Sequence, residues 1–124
     1  MRWRSPLLGL SAAALALIAA SPGAAHHSYS MFDRGRTETL SGTIKSFDLI
    51  NPHSWLEVAV PRAGGATEWS LEMGGAGQIT RRGWNQETFK PGDRVTVTYH
   101  PLRDGSNGGQ FVTVTTLNGL PFTG

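Results

Sequence analysis

The feature that most constrains the fold is the segment at residues 51–60, where a turn leads directly into an alternating strand. Pro52 fixes its own φ and disfavours the helical region for the residue before it, so the chain is expected to bend there. After His53, apolar and other side chains alternate with a period of two, which is typical of a strand with one buried face. A second segment, at residues 95–105, has the reverse order: a strand that runs into His100 and a polar turn. The chain is therefore expected to consist of strands joined by turns, two of which carry a histidine.

Residues 1–25 have the organisation of a secretory signal peptide. A positively charged start with Arg2 and Arg4 precedes an apolar run at residues 7–20, and small residues precede a predicted cleavage after Ala25. The apolar run is shorter than the about 20 residues that a transmembrane helix needs. We therefore expect a periplasmic or secreted mature protein with no membrane span. An uncleaved N-terminal anchor is the alternative.

The mature chain is long enough for one domain with a single modest core. We divide it into an extended arm at residues 26–36 and a folded domain at residues 37–120, and we expect a monomer. Because Arg2 and Arg4 lie in the signal peptide, nine of the 11 basic residues remain and balance the nine acidic ones. This balance argues against a nucleic-acid partner, which would need a basic patch. The absence of cysteine excludes disulfides, thiolate chemistry and cysteine-based metal sites.

The alternating segments predict five strands and one short helix. The strands are expected at residues 37–48, 54–60, 68–73, 94–100 and 110–117, and the helix at residues 76–84. Three strands, a helix and two strands is the order of an OB-fold, an all-β five-stranded barrel. In that fold the turns between strands one and two and between strands four and five flank the ligand-binding face. An open β-sandwich is the alternative.

The four histidines are the strongest candidates for metal ligands, and all lie in turns or at the start of the mature chain: His26, His27, His53 and His100. Imidazole suits copper, zinc and nickel. His26 would carry a free amine whose ordinary pKa of about 8 lets a metal displace its proton near neutral pH. A site made of this amine, one arm histidine and one turn histidine would suit Cu(II) best.

Each histidine also has a structural interpretation. His26 and His27 could be a disordered polar start, because chain termini are usually loose. His53 and His100 could be turn residues whose rings bond a local carbonyl. Reach is a further constraint, because the arm is expected to double back along the barrel. At full extension the arm spans at most about 36–40 Å, and a ten-residue strand rises about 33 Å. The arm is therefore only just long enough to reach the two turns.

Four further residues in the two turns are candidate ligand contacts: Asn51, Trp55, Arg103 and Asp104. Trp55 alternates to the outer face beside His53, whereas Trp69 lies on the apolar face and is expected to fill the core. Arg103 with Asp104 could hold an anion through charge-assisted hydrogen bonds. The alternative is a solvated surface pair that contributes little.

Motifs of catalysis are missing from the sequence, which has no nucleophile elbow, no H-E-x-x-H and no glycine-rich phosphate loop. Ser54 and His53 are adjacent in the sequence, and adjacent strand residues point to opposite faces, so we do not expect them to form a catalytic dyad. We therefore predict a binding module that takes a transition-metal ion, copper favoured. The first alternative is a protein- or small-ligand-binding module without metal, and the second is a copper-dependent enzyme built on the N-terminal histidine.

Several short segments resemble those of one bacterial exported family. They are His26-His27-Ser28, Asn51-Pro52-His53-Ser54-Trp55, Arg82-Gly83-Trp84, Lys90-Pro91-Gly92-Asp93 and His100-Pro101-Leu102-Arg103-Asp104-Gly105. The family is catalogued as domain of unknown function 6152, and the resemblance covers essentially the whole mature chain. It implies an exported single domain and carries no activity with it.

Overall fold

A computed structural model describes residues 30–116 and 121–123 of the chain. The first six elements confirm the predicted order of three strands, one short helix and two strands, and one further short strand follows them. The elements are β1 (Glu38–Asp48), β2 (Trp55–Arg62), β3 (Gly65–Glu72), α1 (Ala76–Arg81), β4 (Arg94–Pro101), β5 (Gly108–Thr116) and β6 (Pro121–Thr123).

The strands form one sheet that closes on itself. Their order is β3-β2-β1-β4-β5-β6, and β3 also pairs with β5, which closes the first five strands into a barrel. The β3–β5 pair is parallel and the other pairs are antiparallel. The predicted five-stranded OB-like barrel is thus confirmed, and closure excludes the open sandwich.

Strand β1 is long because it belongs to both halves of the barrel. Its first part pairs with β4 and its last part with β2, with a bulge between Ile44 and Ser46. Gly42 lies where the strands approach closely, since a Cβ there would collide with the carbonyl oxygen of Ala59. A bulge and a glycine are the usual devices that let one strand curve between two partners.

Alternating apolar side chains fill the barrel. The most deeply buried are Leu56, Val58, Leu71, Val97 and Val114. An aromatic cluster at one end joins Phe47, Phe89 and Phe111 around Trp84, whose ring centroid lies 5.1 Å from that of Phe89. Burial of each large apolar side chain contributes about 1.5–3 kcal/mol to stability. The core thus stabilises a fold that has no disulfides.

The structure differs from the predicted bounds in two places. The helix ends at Arg81 and not at residue 84, because Gly83 has a φ of 92° and so leaves the helical region. The hairpin between β2 and β3 is tighter than predicted and leaves only residues 63–64 between the strands.

Two features of the last strands were not predicted. A bulge between Thr98 and Tyr99 shifts the register of β5 against β4, so Phe111 is buried and Val112 is only half-buried. A sixth strand, β6, pairs with β5 beyond the barrel closure.

Within the described residues, no helix is long and apolar enough to cross a membrane. The predicted signal peptide lies outside those residues.

Candidate functional site

The β1–β2 turn is fixed to the end of β3 by Ser54. The backbone nitrogen of Ser54 donates to the Gly74 carbonyl at 2.9 Å, and the Met73 nitrogen donates to the Ser54 carbonyl at 2.8 Å. The Ser54 hydroxyl, fully buried, donates to the Ile50 carbonyl at 3.1 Å. These bonds hold the turn, and with it His53, against the last residues of β3.

His53 is paired with a buried carboxylate. Its Nδ1 lies 3.1 Å from Oε1 of Glu72, whose side chain is 11% exposed. Burial raises the pKa of the Glu72 carboxyl, and the charge of the neighbouring His53 opposes part of that rise. When Nδ1–H of the neutral ring donates a hydrogen bond to this carboxylate, Nε2 is the nitrogen with the lone pair.

His100 is oriented in the same way by a backbone carbonyl. Its Nδ1 lies 2.7 Å from the carbonyl oxygen of Arg36. Because a carbonyl only accepts, Nδ1 must carry a hydrogen, and in the neutral ring Nε2 has the lone pair. Both turn histidines therefore have the tautomer in which Nε2 can act as a ligand or acceptor.

The described part of the arm lies against the β4–β5 turn. The Asp33 nitrogen donates to the Pro101 carbonyl at 2.8 Å, and the Arg103 nitrogen donates to the Met31 carbonyl at 2.9 Å. Phe32, at the centre of this contact, is only 3% exposed. The expectation that the arm doubles back along the barrel is therefore wrong for these residues, because β1 begins beside the end of β4. His26 and His27 lie outside the described residues.

His53 and His100 line one cavity of about 330 Å³ at this end of the barrel. Glu72 and Gln110 share its polar side, and Arg34 and Arg82 are also among its lining residues. Its apolar wall is formed by Met73, Ile79, Trp84, Phe111 and Val112. The cavity is thus amphipathic, and the two histidines that the sequence assigned to one end of the barrel do share it.

The barrel closure explains how the polar side forms. Glu72 on β3 is in register with Gln110 on β5, and Gln110 is in register with His100 on β4. Neighbouring strands are about 4.8 Å apart, so these three residues form a row across three strands. His53 joins one end of the row through its contact with Glu72.

The other candidate contacts lie outside this cavity. Trp55 is in register with Glu72 and half-buried. Asn51 is exposed and lines a separate depression with His53. Arg103 anchors the arm, since its Nε donates to the Ser30 carbonyl at 3.2 Å.

Asp104 shapes its own turn. Its carboxylate accepts a bond from the Ser106 nitrogen at 2.9 Å, and this bond lowers the pKa of Asp104. Arg103 thus holds the arm, and Asp104 holds the β4–β5 turn.

In the part of the chain that the structure describes, no group of three or more histidine, aspartate or glutamate side chains could hold a metal ion. His53, Glu72 and His100 are therefore not such a group, although all three line the same cavity.

Sequence reasoning missed Glu72 and Gln110. The alternating pattern places Glu72 on the outer face, and the register that brings Gln110 between Glu72 and His100 cannot be read from the sequence. One signal was available for Glu72: in an OB-fold the face formed by strands two and three binds ligands together with the two flanking turns.

Comparison with known proteins gives a family and no relative. No curated protein and no solved structure matches the sequence significantly. A family model described as a family of unknown function, DUF6152, matches residues 14–111, which is most of the chain and includes His53, Glu72, His100 and Gln110. The chain therefore belongs to the DUF6152 family of unknown function.

Proposed function

We propose that this protein is an exported, non-catalytic binding module that holds a transition-metal ion, copper favoured, between His53 and His100. The observation that carries the proposal is that the two histidines share one cavity while each has its Nδ1 bonded elsewhere. Two nitrogen lone pairs from distant parts of the chain are thus available at one end of the barrel.

The bonding of the two rings supports a metal over an uncharged contact surface. Histidines that ligate metals usually donate their second ring N–H to a carboxylate or a backbone carbonyl, which fixes the tautomer and the ring orientation. His53 has the carboxylate of Glu72, and His100 has the carbonyl of Arg36. Nitrogen donors with nearby oxygen donors are a set that suits Cu(II).

The arm is the proposed source of further nitrogen ligands. Ser30 and Met31 lie beside Arg103, three residues beyond His100. His27 precedes Ser30 by three residues, a length of chain that spans at most about 10 Å. With cleavage after Ala25, the amine and imidazole of His26 would be tethered one residue further on, within reach of the β4–β5 turn.

A second candidate function is a small-ligand-binding module without metal. The cavity volume of about 330 Å³ is larger than one ion needs and lies at the lower end of the range of small-molecule sites, roughly 300–1,000 Å³. Its wall of Trp84, Phe111, Ile79 and Met73 would suit the apolar body of such a ligand.

Titration of the mature protein, residues 26–124, with Cu(II) and Zn(II) tests the proposal. We expect tight binding of one Cu(II), and a loss of about 100-fold or more in the double variant His53→Ala/His100→Ala, because two ligands are removed. Trp55→Phe, at the same end of the barrel but outside the cavity, is the matched control and should bind like the wild type.

Addition of one residue before His26 tests the contribution of the arm separately. It should lower the Cu(II) affinity, since it removes the amine from its position beside the His26 ring. Wild-type binding no tighter than that of a generic peptide, or equal binding by the double variant, would remove the metal site and leave the small-ligand module as the better account.

A further inference from the structure

The open side of the shared cavity is lined by two arginines from different parts of the chain. Arg34 comes from the arm before β1, and Arg82 directly follows α1. Both residues are exposed, so they belong to the solvent side of the cavity. A guanidinium group stays charged in proteins, and the opening therefore carries positive charge.

The negative charge of the lining is smaller and lies deeper. Among the described residues that line the cavity, Glu72 is the one carboxylate. Its side chain is 11% exposed, and its Oε1 already lies 3.1 Å from the Nδ1 of His53. Burial also raises the pKa of Glu72, which disfavours its charged form. A cavity with this excess of positive charge attracts an anion.

The inner wall of the cavity is apolar. Met73, Ile79, Trp84 and Phe111 all line it, and each is only 5–7% exposed. An inorganic anion gains nothing from such a wall, whereas an organic one is stabilised by the apolar surface that it buries there. The two parts of the lining together fit a ligand with one charged end and one apolar end.

We infer that this cavity binds a small organic acid as its carboxylate, with the aromatic or aliphatic body on the apolar wall and the carboxylate paired with Arg34 and Arg82 at the opening. The inference rests on the second candidate function, the small-ligand module, in which no metal ion occupies the cavity. A guanidinium group matches a carboxylate because its N–H donors form a planar fork that bonds both oxygens at once. The cavity volume of about 330 Å³ is small for a ligand site and suits a body with a single ring.

Benzoate is the probe, and two analogues separate the contribution of its charge from that of its ring. Benzamide has the same ring and nearly the same shape without the charge, and acetate has the charge without the ring. Because each lacks one of the two matched parts, we expect both to bind at least about tenfold more weakly than benzoate.

Arg34→Gln and Arg82→Gln each remove one positive charge at an exposed position, where the fold tolerates substitution. Each variant should bind benzoate about tenfold more weakly than the wild type, since a charge-assisted hydrogen bond is lost. The double variant should bind more weakly than either. Arg82→Lys keeps the charge without the fork and should lie between the wild type and Arg82→Gln.

Arg81→Gln is the matched control. Arg81 is the neighbouring exposed arginine on α1, and it lines a separate depression with Asn51 and not this cavity. The variant has the same change of net charge and should bind benzoate within about twofold of the wild type, because charges outside the cavity are screened by salt. It thus separates recognition in the cavity from a general attraction of anions.

The experiment titrates metal-free mature protein, residues 26–124, with each compound and measures the heat of binding and the backbone amide NMR signals. Benzoate should bind the wild type with a Kd below about 1 mM. It should also shift the amide signals of residues 79–84 and 110–112, which include lining residues from both sides of the cavity.

The outcomes separate this inference from the function on which it rests. Benzamide bound as tightly as benzoate, or benzoate bound equally by the variant Arg34→Gln/Arg82→Gln, would overturn the carboxylate inference and leave the small-ligand module in place. Signals that stay unshifted with all three compounds would overturn both. The titrations contain no metal, so their result is independent of the copper titration.

Discussion

At the scale of single residues, the partner of one ring nitrogen determines what the other can do. Glu72 and the Arg36 carbonyl each engage the Nδ1 of a histidine, so in both neutral rings Nε2 is the nitrogen with the lone pair. Glu72 is held in a buried position that raises its pKa. A buried carboxylate beside an imidazole in a cavity is typical of functional sites.

Sequence reasoning at this scale identified the histidines and missed their neighbours. His53 and His100 stand out because they lie in turns that follow or precede clear strands. Glu72 and Gln110 do not stand out, because a polar residue in an alternating strand normally faces solvent. Their roles depend on which strands become neighbours, and that is a property of the closed barrel.

Tyr99 gives a prediction for alkaline pH. Burial raises its pKa to about 12, and the hydrogen bond and charge of Glu38 add to this effect. The folded state therefore favours the neutral phenol, whose pKa in the unfolded chain is about 10. Its contribution to stability is complete below pH 10 and should be lost as the pH rises from 10 through about 12.

Urea unfolding at pH 8–12 of wild type and Tyr99→Phe measures this contribution. The variant loses the bond from the Tyr99 hydroxyl to Glu38 and should be about 1 kcal/mol less stable at pH 8. Its stability should then fall less steeply above pH 10 than that of the wild type. Parallel curves for the two proteins would show that Tyr99 does not titrate as the structure indicates.

At the scale of elements, period-two patterns located the strands well and their ends less well. The centres of β1 to β5 agree with the predicted segments because burial of alternate residues is written directly in the sequence. The end of α1 depends on the positive φ of Gly83, and the burial of Phe111 depends on the bulge beside Tyr99. Both are consequences of backbone geometry that hydrophobic periodicity does not encode.

The pairing of β4 and β5 beside the site depends on Gly109. A Cβ at this position would collide with the carbonyl oxygen of His100 and with the ring of Tyr99. We predict that Gly109→Ala lowers the free energy of unfolding by about 1–3 kcal/mol, as overpacking of a core does. It should also weaken Cu(II) binding, because the backbone of His100 must move.

Gly77→Ala is the control for Gly109→Ala, measured by the same urea unfolding. A Cβ at Gly77 meets only the Arg81 guanidinium, at 3.9 Å, and the position is exposed within α1. Because alanine favours a helix over glycine by about 1 kcal/mol, this variant should be more stable than the wild type. Equal losses of stability in both variants would show that the close approach at Gly109 has no special role.

At the scale of the whole molecule, the parallel pairing of β3 with β5 brings the site together. It closes the barrel and places Gln110 of β5 beside Glu72 of β3, whose carboxylate contacts His53. The OB-like order was predictable from strand patterns, and with it the meeting of the two turns. The cavity between them was not, because its walls come from α1 and the aromatic cluster as well as from the strands.

Pulsed EPR of the Cu(II) complex tests the central claim most directly, because the remote nitrogen of each bound imidazole gives its own signal. The wild type should bind one Cu(II), with imidazole signals that include both turn histidines. His53→Ala and His100→Ala should each lose one imidazole from the spectrum, and Trp55→Phe should lose none. Spectra of the two histidine variants that are identical to that of the wild type would show that these rings do not share an ion.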